Sequence, residues 1–239
     1  MRQFFLCKAA ILLFGLFAVF LPSCTARIDG SLSADRSMVL SVNMSLGTRM
    51  AALIRSLSAA GGQTDAPVLD APSIARSMSG APGVASVTLR NTSTAAIEGQ
   101  VRISQISEFL SAADGRGFIT FQNEGGAYRM EININRANGP SVIELLSSDV
   151  SDYLNALMAP IASGEEITRS EYLELISSFY NRGISDEIAS SRIRSSIEFP
   201  GAITGIRGGT FSGRRATFDI PLLDLLVLET PLIYEVNWR

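Results

Sequence analysis

Apolar and polar residues alternate with a period of two in several separated stretches, and each such stretch predicts a strand with one buried face. Met38, Leu40, Val42 and Met44 alternate with Ser37, Val39, Ser41 and Asn43. Ile97, Val101 and Ile103 alternate with Glu98, Gln100 and Arg102; Tyr128, Met130, Ile132 and Ile134 alternate with Arg129, Glu131, Asn133 and Asn135. Three further sets come late in the chain: Ile193, Ile197 and Phe199, then Ala216, Phe218 and Ile220, then Leu232, Tyr234, Val236 and Trp238. One-sided strands of this kind belong to antiparallel or mixed sheets. Two hairpins are expected, one joining Phe118–Phe121 to the Tyr128 strand through Asn123–Gly126, the other joining Ile28–Leu32 to the Met38 strand through Ala34-Asp35-Arg36.

Helical periodicity is grouped elsewhere. Leu46, Met50, Leu53, Ile54 and Leu57 share one face of a helix that stops at Gly61-Gly62. Pro67, Pro72 and Pro82 make Gln63–Gly83 an irregular excursion with a short helix near Ile74–Met78. Gly139–Asn181 reads as a helical block. Ser141 and Glu144 have capping-box spacing and lead an apolar stripe that Pro160 ends; Thr168 and Glu171 open a second helix, with Tyr172, Leu175, Ile176 and Phe179 on one face before Gly183. Strands therefore flank the helices in sequence. The expected fold class is α+β, an antiparallel sheet built from both ends of the chain with helices packed on one face. With no long linker between the elements, residues 24–239 are expected to form a single domain.

The first 24 residues have a different pattern. Arg2 and Lys8 accompany a nearly unbroken apolar run from Ala9 to Leu21, closed by Leu21-Pro22-Ser23-Cys24. The run falls short of the roughly 20 residues that a spanning helix needs and suits the apolar core of an export signal. Its close resembles the bacterial lipoprotein box. That resemblance implies a signal peptide over residues 1–23, cleavage before Cys24, a thioether-linked diacylglycerol on Cys24, and acylation of the new amino terminus, for example by palmitate. The protein would then be held to a membrane of the bacterial cell envelope on its non-cytoplasmic side. A retained membrane helix and a freely secreted product are the alternatives.

Composition narrows the chemistry open to residues 24–239. Cys24 is the only cysteine after Cys7, so no intramolecular disulfide can form in a processed chain. Histidine is absent and Lys8 is the only lysine, which leaves residues 24–239 with 18 arginines against 23 acids, a formal charge of −5. That balance argues against nucleic acid as a partner. Without histidine there is no Ser-His-Asp arrangement and no imidazole metal site; without a processed lysine there is no P-loop lysine or Schiff base. Carboxylates alone remain, in Glu165-Glu166 and Asp186-Glu187. Both pairs are expected where helices begin, and acids there favour the helix dipole. No catalytic residue, metal ligand or cofactor is therefore expected.

Phe199-Pro200-Gly201, Gly208-Gly209 and Ala216-Thr217-Phe218 lay out a strand, a Pro-Gly turn, a Gly-bearing turn and a further strand. This order is similar to that of the mycobacterial LppM-like lipoproteins. The resemblance implies an envelope-exposed domain that engages lipid, with no catalytic residues to carry over. The functional expectation is a non-enzymatic lipoprotein anchored to a membrane that binds lipid or another apolar ligand. Phe109, Phe121, Tyr153, Tyr172, Phe179 and Trp238 are the candidate lining, chosen because they are large and fall on apolar faces; a filled core would use the same residues. The alternative is an interaction module that docks another envelope protein through Ile220–Tyr234.

Overall fold

The chain's turn chemistry sets up its hairpins. The computed structural model describes residues 24–60, 67–106, 108–109, 118–143 and 148–239; the expected signal segment and Glu144 lie outside them. β1 (Thr25–Leu32) and β2 (Met38–Ser45) form the first hairpin, whose turn is held by Asp35, which accepts bonds from the Ser37 amide at 3.0 Å and hydroxyl at 2.7 Å. β5 (Ile119–Glu124) and β6 (Ala127–Ile134) form the second. Gly125 and Gly126 have φ of 56° and 84° in its two-residue turn, the left-handed pair that matches strand twist.

Two sheets result. The larger has seven strands in the order β3-β4-β2-β1-β7-β10-β9, adding β3 (Val84–Ser93), β4 (Ala96–Ile103), β7 (Arg192–Glu198), β9 (Thr210–Ser212) and β10 (Arg215–Pro221). It joins the two ends of the chain where β1 pairs in parallel with β7; its other pairs are antiparallel. The smaller sheet has the order β5-β6-β11-β8, with β8 (Ile203–Arg207) and β11 (Leu232–Trp238), and is antiparallel throughout. The α+β expectation therefore holds, with the sheet divided in two. Phe199, Val101, Ala216, Val236 and Trp238 fill the space between the sheets. Burying such side chains stabilises by about 1.5–3 kcal/mol each.

The second core is helical. It packs α1 (Thr48–Ala60), α5 (Pro160–Ser163), α6 (Arg169–Phe179), α7 (Arg182–Ser190) and α8 (Leu222–Val227) around Tyr172, Ile176, Ile188 and Val227, all fully buried. α2 (Ala71–Ser79) covers a small third cluster with Leu69 and Ile97, while α3 (Gly139–Ile143) and α4 (Ser148–Ala156) lead into α5. The Thr168–Glu171 capping box forms as expected, with both reciprocal bonds present. No helix among the described residues is long and apolar enough to cross a membrane.

Three strands escape the periodicity, and one helix begins earlier than expected. In β3 the register shifts between Val84 and Ser86, so Val84 and Val87 share a core despite their odd spacing. β8 contains Gly205, and β9 is three exposed residues at a sheet edge. The helix opened by Thr168 closes at Phe179, not at Gly183, which lies inside the first turn of α7. A Cβ on Gly183 would stand 2.6 Å from the Arg49 guanidinium, so a larger residue there would displace the Arg49 side chain of α1.

Candidate functional site around Cys24

Cys24 immediately precedes β1 and is 7% exposed, in the helical core. Its backbone carbonyl accepts the Arg192 amide at 3.2 Å, which aligns it with the start of β7. Its Sγ accepts the Gly47 amide at 3.2 Å and stands 3.9 Å from Glu187 Oε1, toward which the thiol donates. Burial pushes the thiol up from its ordinary pKa; the Gly47 amide and the Ser191 hydroxyl oppose that shift, and the Glu187 carboxyl adds to it.

Glu187 explains the geometry. α1 begins after Gly47, which has no side chain with which to cap it. Glu187, 6% exposed on α7, supplies the missing acceptors from another element: Oε2 takes the Arg49 amide at 3.1 Å and Oε1 takes the Met50 amide at 3.2 Å. A carboxylate at a helix N-terminus also meets the positive end of the helix dipole. The expectation that Asp186-Glu187 opens a helix of its own is corrected: the pair lies well inside α7, and Glu187 serves the start of a different helix. Glu165 and Glu166 are exposed in the segment ahead of the Thr168 cap. Among the described residues, no group of three acids or cysteines is placed to hold a metal ion.

The six aromatic candidates separate into three places. Phe109, Phe121 and Trp238 belong to the core between the sheets, where the Trp238 ring centroid is 4.7 Å from Phe199, 5.4 Å from Tyr128 and 5.9 Å from Phe121. Tyr153 and Tyr172 belong to the helical core, and the Tyr172 hydroxyl donates to the Leu157 carbonyl at 3.1 Å. Phe179 is 67% exposed at the end of α6. They do not converge on one cavity. In the Ile220–Tyr234 segment, Leu226, Val227 and Leu228 are at most 3% exposed, whereas Leu222, Leu223, Leu225, Leu232 and Ile233 are half-buried.

Two open grooves have linings of mixed polarity. One lies over the smaller sheet beside Gln122, Arg129, Thr204 and Asn237. The other runs along the larger sheet beside Arg27, Asn43, Arg90, Glu98, Gln100 and Arg102. No local pattern in the sequence marks these arginines or the link from Glu187 to α1. The arginines occupy the polar phase of strands whose apolar phase was legible; the link joins residues 137 positions apart.

Fold and site together define an α+β domain of two sheets with a helical core at the end where β1 begins. No known protein family matches the chain, and no curated protein matches it. Among solved structures it is similar to the folded domain of the Mycobacterium tuberculosis LppM protein determined by NMR, with 11% identity over 91% of this chain and 90% of that one, at a TM-score of 0.42.

Proposed function

We propose that this protein is a lipoprotein of the bacterial envelope, anchored through Cys24, whose exported domain is not an enzyme. The observation that carries the reading is positional. The charged, apolar and small-residue sequence of an export signal ends at Cys24, and β1 begins at the very next residue. An acyl anchor at Cys24 therefore joins the fold with no intervening linker. Two or more acyl chains, at about 0.8 kcal/mol per buried methylene, hold such a protein stably on a membrane.

Acylation and the Cys24 socket exclude each other. A diacylglyceryl group on Sγ has no room where that atom lies 3.2 Å from the Gly47 amide in a packed core. Acylation therefore requires Cys24 to leave the socket, and the pairing of β1 from Thr25 onward to Ser45 and Arg192 does not depend on its side chain.

Metabolic labelling with a clickable fatty acid tests the assignment. The wild type should incorporate label and Cys24→Ser should not, accumulating as precursor instead. Equal incorporation by both would sink the proposal.

A further inference from the structure

The larger sheet has one face turned to its two cores and one turned away. The register places the polar phase of every strand on the outer face: one row runs Thr88, Gln100, Ser41, Asp29, Ser196 and Thr217. The described helices and the smaller sheet share clusters with the opposite, apolar phase. Six arginines point outward, at 27, 90, 102, 192, 194 and 215, against four carboxylates, at 29, 98, 198 and 219. In a processed chain of net −5 this face is net +2.

The excess is concentrated. The row containing Thr25 holds Arg192, and the next holds Arg27, Arg90 and Arg194 with Glu98 and Asp219. Those two rows carry four positive charges and two negative ones; of the two rows beyond, that of Asp29 carries −1 and that of Arg102, Glu198 and Arg215 carries +1, so together they sum to zero. Arg90 pairs with Glu98, Arg194 stands 3.8 Å from Asp219, and Arg27 reaches Asp29 in the adjoining row at 2.8 Å. Arg192 has no carboxylate partner among the described residues. At about 3.3 Å per residue, both rows lie within roughly 10 Å of Cys24 along the strands. β1 is the central strand of the seven.

We infer that the Cys24 end of this outer face rests on the surface of an anionic phospholipid bilayer. The inference depends on the anchoring reading, because the anchor is what brings these arginines within a Debye length of lipid phosphates, about 8–10 Å at physiological salt. Guanidinium groups engage phosphate oxygens in bidentate fashion, so a row of arginines suits that surface. The acidic remainder of the domain is repelled by it, which fixes the orientation.

The test uses the processed protein from cells, reconstituted in nanodiscs of phosphatidylcholine alone or with phosphatidylglycerol. Mass spectrometry first reads the acyl mass on Cys24. A single thiol is then introduced at Asn43→Cys, in the row of Arg27, or at Gln122→Cys, on the smaller sheet, and labelled with a water-soluble maleimide. Asn43→Cys should label at least about threefold more slowly in the anionic nanodiscs at low salt, and the difference should vanish at high salt and with Arg192→Gln/Arg194→Gln. Gln122→Cys should label equally in both. Acylated protein whose Asn43→Cys rate ignores lipid charge, or whose two thiols slow alike, overturns the surface proposal and leaves anchoring intact. Absence of the acyl mass overturns anchoring and this proposal with it.

Discussion

The Glu187 carboxylate accepts the backbone amide of Met50 at 3.2 Å across 137 residues of sequence. Through this bond and its companion to Arg49, α7 finishes the first turn of α1 and closes the floor beneath Cys24. Glu187→Ala leaves both amides without their acceptor. The Met50 donor is buried and the Arg49 donor part-buried; stranding a buried donor costs about 1–3 kcal/mol, so the variant should be clearly destabilised. Urea denaturation monitored by circular dichroism should show a lower midpoint, with Glu187→Gln intermediate because it retains one oxygen. An unchanged midpoint for Glu187→Ala would mean that α1 is capped in another way.

Trp238 holds the core between the sheets. It is 2% exposed, and β11 lies between β6 and β8. Trp238→Ala should cost about 3–5 kcal/mol, a large share of the 5–15 kcal/mol that keeps a typical domain folded. Deleting Leu232–Arg239 removes the strand itself and should leave no cooperative transition. Trp238 is the chain's only tryptophan, so its fluorescence reports unfolding of this core in the wild type. A truncated chain that melts as the wild type does would show β11 to be dispensable.

The alkaline limit of stability runs through Tyr172. Burial is the main cause that pushes its hydroxyl well above the ordinary value of 10.0, and Tyr234 is raised for the same reason. A raised pKa contributes stability that is complete below the unfolded value and lost as pH rises beyond it, because the unfolded chain ionises first. Tyr172→Phe loses the hydrogen bond to Leu157, costing about 1 kcal/mol near neutrality. Above pH 10 its stability should fall less steeply than that of the wild type. Parallel curves would show that Tyr172 does not set the alkaline limit.

Acid acts at the start of α6. The Thr168 amide, and then its hydroxyl, hold the Glu171 carboxyl below its ordinary 4.5. A lowered pKa contributes stability that is present above the unfolded value and lost as pH falls through the folded one. Thr168→Ala should cost about 0.5–2 kcal/mol at neutral pH as the cap is lost. It should also flatten the decline below pH 4.5, since the carboxyl then keeps only the amide. A steeper acid decline in the variant would contradict this assignment.

The sequence was most legible where a local rule operates. Alternation marked β2, β4, β6, β10 and β11, the Gly125-Gly126 pair marked a hairpin, and Thr168 with Glu171 marked a helix start. Each depends on residues within a few positions of one another, where backbone geometry and side-chain period act directly. β3 was hidden because its bulge breaks the period, and the start of α7 was misplaced because its opening residues carry Gly183 and its cap is Asn181, which accepts the Ile184 amide.

By itself the sequence determined the α+β class, the polar and apolar phases of most strands, the chemistry that the absence of histidine removes, and Cys24 as the point where an export-like segment ends. Tertiary structure decided the rest. It split the strands into two sheets, dispersed six aromatic side chains into separate places, brought Glu187 to Cys24, and lined up arginines from β1, β3 and β7 near one end of a face. These outcomes depend on pairings such as β1 with β7, between residues more than 160 positions apart. Such pairings are set by the packing of whole elements against one another, and no local pattern of residues encodes which strand will become whose neighbour.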